Sequence, residues 1–222
     1  MKTSIQVSIV GGSGALGSGL AYRLAKAGHS VAIGSRSSEK AAEAADALNR
    51  RLGGNKVTGM TNVEAAAQGE IVFLTVPFAS HGATLEEIKE EVQGKIVVDV
   101  TVPLVPPRVA RVTLPPNGSA AVTAQLVLGD GVRVVSAFHN VAATHLHDDE
   151  HEHECDVMVF GNDKAARDCI LALSQEMGLK AWHGGAIDNS VMAESLTSVL
   201  IFINKNYGID GAGIRITGRP NS

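Results

Sequence analysis

The chain lacks most of the features that announce a function outright. No apolar run approaches the roughly 20 residues that a membrane-crossing helix requires, so no membrane span is expected. The two cysteines, Cys155 and Cys169, share no Cys-x-x-Cys spacing, which removes the usual zinc and dithiol motifs. Both are expected to be reduced thiols. Lys and Arg number 19 against 23 Asp and Glu, a formal net charge of -4. With no basic surplus to neutralise phosphates, general nucleic-acid affinity is not expected. Aromatic residues make up 4% of the chain and apolar residues 45%, which fits an aliphatic α/β core rich in Ala, Val and Gly. Met1-Lys2-Thr3-Ser4 leads straight into an apolar strand, so the expectation is a cytoplasmic protein made without a signal peptide. Asn117-Gly118-Ser119 matches a glycosylation sequon but reads, in that setting, as a turn and a helix cap. At 222 residues the chain suffices for one α/β domain and a small appendage.

What the chain does have stands at its start. Val7-Ser8-Ile9-Val10 reads as a strand, Gly11-Gly12-Ser13-Gly14-Ala15-Leu16-Gly17 follows, and an apolar-periodic stretch ends at Ala27-Gly28. Val31-Ala32-Ile33 is a second strand, stopped by Gly34-Ser35-Arg36. Strand, glycine turn, helix and strand make a βαβ unit whose turn carries G-x-G-x-x-G at Gly12, Gly14 and Gly17. Gly12 permits the sharp turn, Gly14 lets backbone approach a pyrophosphate, and Gly17 lets the helix pack on the strand. Beyond Ser13, the amides that open the helix at Ala15 and Leu16 lack intrahelical partners, and the helix dipole favours a phosphate there. Dinucleotide binding follows.

The end of the second strand selects the dinucleotide. An NAD site usually places an acid there, about 20 residues past the glycines, to bond the ribose 2′-hydroxyl. Here the position reads Ser35-Arg36, with Lys40 one helical turn on and no acid before Glu39. A hydroxyl, a guanidinium and an ammonium suit a 2′-phosphate, which a carboxylate would repel. Cations gain nothing from the dipole at a helix start, so the pattern points to NADP(H).

Further along, strands and helices alternate, predicting a Rossmann-type, doubly wound, mostly parallel sheet with a small C-terminal helical appendage. Strands are expected at 56–60, 71–76, 95–99, 133–137, 157–161 and 180–183. Helices are expected at 38–52, 61–67, 84–92, 119–128, 163–177 and 190–204. Pro77-Phe78 breaks a strand at the carboxyl edge, where ligands bind in open α/β sheets. The exit at Pro103, Pro106, Pro107, Pro115 and Pro116 is a long loop of the kind that is usually functional or mobile. The division expected is an NADP-binding domain over 1–183 and a helical segment over 184–222 that adds to the substrate cleft and a dimer interface.

With this order laid out, the chain resembles the coenzyme F420-dependent NADP oxidoreductases nearly end to end. The resemblance rests on the glycine loop, Gly34-Ser35-Arg36 with Lys40, Thr58-Gly59-Met60, Thr75-Val76-Pro77-Phe78 and Lys95-Ile96-Val97-Val98. It continues through Pro103-Leu104-Val105-Pro106, Val134-Val135-Ser136-Ala137-Phe138-His139 and Glu194-Ser195-Leu196-Thr197. It implies a homodimer that exchanges hydride between nicotinamide C4 and deazaflavin C5. It also implies a cofactor cleft touched by Val76, Val102, Ala143 and Ala212, with His139 beside the reacting rings. The chain departs from the pattern at Asn189-Ser190-Val191, where archaeal members carry an arginine third. It departs again at Asn140-Val141-Ala142-Ala143, where some members have Thr-Ile-Pro-Ala.

Hydride transfer between two heterocycles needs contact, orientation and dryness more than acid–base groups. The absence of a Ser/His/Asp set or a paired-carboxylate signature is compatible with that. His139, at the end of a buried strand, is a positioning group or a proton shuttle, or else bonds loop backbone. Phe78 and Phe138 either wall the cleft or belong to the core. The run from His145 to Cys155 offers metal-ligand types, but consecutive ligands on a flexible loop build no defined site, and a solvated loop without metal is expected. Two other functions stay open: an NADPH-dependent reductase of a flavin, quinone or imine, and an NADP-sensing module without turnover.

Overall fold

The computed structural model describes residues 4–150 and 154–218. In chain order its elements are β1 (Gln6–Val10), α1 (Ala15–Ala27), β2 (Ser30–Ser35), α2 (Ser38–Leu52), β3 (Val57–Thr61), α3 (Asn62–Gln68), β4 (Ile71–Leu74) and α4 (Phe78–Ile88). They continue with β5 (Ile96–Asp99), α5 (Ala120–Leu128), β6 (Arg133–Ser136), α6 (Ala143–Leu146), β7 (Asp156–Gly161), α7 (Lys164–Glu176), β8 (Lys180–Gly185) and α8 (Ser190–Tyr207). One sheet contains all eight strands in the order β3-β2-β1-β4-β5-β6-β7-β8. The first six are parallel; β7 runs against β6 and carries β8 parallel to itself.

Alternate residues of each strand feed separate cores on the two faces of the sheet. Val7, Ile9, Ile33, Phe73 and Val98 pack in one, Val10, Val72, Leu74 and Val97 in the other. Burial on both faces explains why β4 and β5 read as unbroken apolar runs. Local signals end the helices as expected: Ser37 accepts from the Lys40 N–H and Thr61 forms a capping box with Glu64. Left-handed Gly28, Gly53 and Gly208 close α1, α2 and α8.

The region after β4 departs from the expected pattern. The strand stops at Leu74, and the helix expected over 84–92 instead begins at Phe78 and ends at Ile88. Pro77 stands at the N-cap, where its missing N–H costs nothing, and His81, Thr84, Leu85 and Ile88 give the helix a buried face that runs past Gly82. Residues up to Val92 form a turn in which the N–H groups of Glu91 and Val92 both reach the Ile88 carbonyl. The third strand is shifted by one residue to Val57–Thr61, the sixth stops at Ser136, and α8 runs on to Tyr207.

The acidic-histidine run is anchored to α1 from His145 to Asp149, while Asp148, Asp149 and Glu150 stay exposed to solvent as expected. Arg23 of α1, 8% exposed, donates to the carbonyls of Leu146 at 2.7 Å and His145 at 3.3 Å, and to that of Asp148. Lys26, Tyr22 and Arg51 gather on Asp149, whose carboxyl is held at about 2 by its bonds to Lys26 and Tyr22. A buried guanidinium needs carbonyl partners, and this run supplies them. His151, Glu152 and His153 lie outside the described residues. Among those described, no group of three or more His, Cys, Asp or Glu could hold a metal ion, and no helix is long and apolar enough to cross a membrane.

Candidate active site

The order of the sheet reverses at β1, flanked by β2 on one side and β4 on the other, and open α/β sheets bind ligands at the carboxyl edge of such a point. A cleft of about 890 Å³ opens there. It brings together Ser13, Gly14, Ala15, Leu16, Ser35, Arg36, Lys40, Val76, Pro77, Phe78, Val102 and His139. Gly12 and Gly17 lie beneath it and set the turn. A Cβ on Gly17 would stand 2.6 Å from Thr75 Oγ1 and 2.7 Å from Gly12 Cα, and one on Gly12 would stand 2.7 Å from the Ile9 carbonyl oxygen. Gly14 is open by contrast, its nearest atom the Gly11 carbonyl oxygen at 3.5 Å. No side chain caps α1 at Gly14, which leaves the first amides of the helix to a phosphate.

Ser35 is buried, and its Oγ accepts from the Ser37 N–H at 3.3 Å, with Ser13 Oγ at 3.5 Å. Arg36 and Lys40 stand exposed at the rim. Among the described residues no Asp or Glu lines the cleft, although the chain carries more acids than bases. Asn62 is a cleft residue that the sequence reading missed. It is 2% exposed and accepts from the Gly11 N–H at 3.2 Å, and its only sequence signal is its place just after a helix cap.

Across the cleft the walls are held by buried polar groups. His81 Nε2 lies 2.7 Å from Asp99 Oδ2, the two side chains 2% and 0% exposed. Burial opposes charge on both, yet each partner outweighs it: the Asp99 carboxyl is held low and the His81 imidazole high. The other oxygen of Asp99 accepts from the Thr101 N–H at 2.9 Å, and the His81 ring stacks on Phe78 at 6.3 Å. One ion pair therefore ties the start of α4 to the exit of β5. Neither partner stood out in the sequence, because they lie on separate elements.

Phe78 lines the cleft, whereas Phe138 belongs to the core, 1% exposed with its ring 5.8 Å from Phe73. Phe138 adopts φ 66°, a left-handed conformation rare for a bulky residue. This turn sends its ring inward and places His139 in the cleft wall. Thr197 of α8 donates to the His139 carbonyl at 3.0 Å, and Asn140 bonds Thr197 and the Ala193 carbonyl. His139 Nε2 bonds Ser136 Oγ at 3.2 Å, while Nδ1 has no partner among the described residues. Burial pushes the imidazole down to about 4, so it is neutral at pH 7 and suits a polar contact better than proton donation as imidazolium.

Glu194 of α8 accepts from the N–H groups of Ala120 at 2.7 Å and Ala121 at 3.1 Å, joining the last helix to the start of α5. Burial pushes its carboxyl up to about 7 against those two bonds. Ala143 and Ala212 are not brought to this cleft. Ala212 borders a separate hollow of about 410 Å³ with His145 and Cys155, and Ala143 opens α6, after Ala142, whose Cβ closes against Gly211. The chain after α8 folds back onto β7, where the Ile214 carbonyl accepts from the Asp156 N–H at 2.7 Å.

A doubly wound sheet whose switch-point cleft combines a glycine loop at a helix start, two exposed cations and, among the described residues, no lining carboxylate is the arrangement expected of Rossmann-type NADP oxidoreductases. Comparison with known proteins narrows that class. A family model described as NADP oxidoreductase coenzyme F420-dependent matches residues 6–103. The F420-dependent NADP reductase of Methanocaldococcus jannaschii is 39% identical over 96% of this chain and 98% of its own. The protein of the same name from Methanothermobacter marburgensis is 38% identical over 97% and 100%. A crystal structure from Arthrobacter sp. FB24, provisionally assigned as an F420-dependent NADP reductase, superposes with a TM-score of 0.82 at 26% identity, covering 97% of this chain and all of that one. The chain belongs to the F420-dependent NADP oxidoreductase family.

Proposed function

We propose that this protein exchanges hydride between NADP(H) and coenzyme F420. The observation that carries the reading is the cleft at β1 and β4, which combines an uncapped helix start, a cationic ribose end and no lining carboxylate. NADP(H) and F420 supply the redox chemistry themselves, at nicotinamide C4 and deazaflavin C5. The protein's part is to hold the two carbons in contact and dry.

Gly14, Ala15 and Leu16 take the pyrophosphate, and Ser35, Arg36 and Lys40 take the 2′-phosphate. Val76, Pro77, Phe78 and Val102 wall the nicotinamide side, and neutral His139, its Nε2 bonded to Ser136 Oγ, stands in the wall beside the heterocycles. The apolar side chains that α8 leaves exposed, Met192, Val199 and Phe202, suit a homodimer interface. A cytoplasmic setting agrees with the two free thiols.

The test is to mix purified protein with NADPH and oxidised F420 and follow the deazaflavin absorbance, with NADH and free flavin as controls. The expected result is bleaching with NADPH and little with NADH. Replacing Arg36 and Lys40 by Ala should cut the preference for NADPH by about 10- to 100-fold, as expected for losing hydrogen bonds to a charged group. NADPH binding with F420 left oxidised would remove the acceptor from the reading.

A further inference from the structure

The residues that bind NADP account for one end of the cleft's charge; the other end has cations of its own. The β5–α5 connection, residues 100–119, contains no Asp or Glu and two arginines, Arg108 and Arg111. Its residues Val102, Leu104, Pro106 and Val109 form part of the cleft wall, so the arginines flank a wall residue. The Arg111 N–H donates to the Arg108 carbonyl at 3.0 Å, a turn that keeps the two Cα atoms within about 7 Å. Both arginines are exposed. Neither guanidinium has a hydrogen bond or ion pair among the described residues.

These arginines are well separated from Arg36. The cleft runs from the end of β2 past β1 and β4 to the exit of β5, three strand spacings or about 14 Å. Among the described residues that line the cleft, no other group at the far end offers positive charge. His139 is neutral, His81 is consumed by Asp99, and α8 carries no Lys or Arg before Lys205, with Val191 in its first turn.

We infer that Arg108 and Arg111 form a second anion site, which takes the negatively charged tail of the deazaflavin while its ring lies against Phe78 and His139. This rests on F420 being the acceptor. The tail carries two kinds of anion, a phosphodiester and terminal carboxylates, and a guanidinium pair suits either.

The experiment measures direct binding of three deazaflavins by fluorescence, beside steady-state kinetics: the bare riboside, the phospholactate form without glutamates, and full F420. The proteins compared are the native chain and the double variant Arg108→Glu, Arg111→Glu, with Arg108→Lys, Arg111→Lys as the conservative control. The expected result is a dissociation constant for the charged forms raised about tenfold in the Glu variant and largely restored by Lys. Binding of the bare riboside and of NADPH should be unchanged. Native affinity for the charged forms should also weaken with salt, and this dependence should flatten in the Glu variant. A loss already full with the phospholactate form assigns the site to the phosphodiester; a loss seen only with full F420 assigns it to the carboxylates. Equal affinities of the native chain and the Glu variant for all three forms would overturn this inference and leave the F420 reading standing. If the native chain binds no deazaflavin, the F420 reading falls and this inference with it.

Discussion

The β1–β2 side of the cleft and the β5–β6 side are built by different means. On the first, ligand-facing groups are backbone amides and two exposed cations, placed by glycines and helix caps a few residues away. On the second, loops are held by buried polar bonds between distant segments: His81 with Asp99, Glu194 with the start of α5, Thr197 with the His139 carbonyl. The first side is preorganised mainly by local conformation, with the Gly11–Asn62 bond as its long-range tie, and the second by long-range pairing. The consequence is that the stability of the first side should tolerate surface changes but not added volume, and that of the second should be sensitive to loss of a single partner.

The largest effect should come from His81→Ala, which leaves Asp99 buried and uncompensated. Urea denaturation should show a loss of about 3–5 kcal/mol, the range for breaking a buried ion pair. NADP affinity should fall less than affinity for the second substrate; equal losses of both would mean the two sides form one unit. On the other side, Gly17→Ala places a Cβ against Thr75 Oγ1 and Gly12 Cα. This should cost about 1–3 kcal/mol by overpacking and weaken NADP binding measured by titration, because Gly12 and Gly14 move with it.

The smallest effect sharpens the comparison through pH. Glu194 is raised to about 7 from an ordinary value of 4.5. Between those values the folded chain holds a proton that the unfolded chain has released, so stability falls as pH rises from 4.5 to 7. Glu194→Gln should cost about 1 kcal/mol near neutrality through a lost acceptor and remove this slope. A thermal-denaturation series across that window checks both, and an unchanged slope would place the titration elsewhere.

The sequence by itself determined the βαβ start and the capping of α2 and α3, and it marked Ser35, Arg36 and Lys40, which the structure brings to one end of the cleft. Each of these depends on residues a few positions apart, where period, glycine placement and cap chemistry are legible. It also carried the doubly wound, mostly parallel sheet, through simple alternation of elements, whereas the strand order and the antiparallel β7 came from the tertiary structure. Only the tertiary structure decided that Phe78 opens a helix at the cleft wall while Phe138 is core, and that the acidic-histidine run is anchored by Arg23. It likewise decided that Ala143 and Ala212 stand apart from the main cleft. His81 and Asp99 are 18 residues apart, and Glu194 is 74 from the amide it caps. Such pairings leave no periodic trace, because burial and partner are set by how elements pack and not by what stands beside them in the chain.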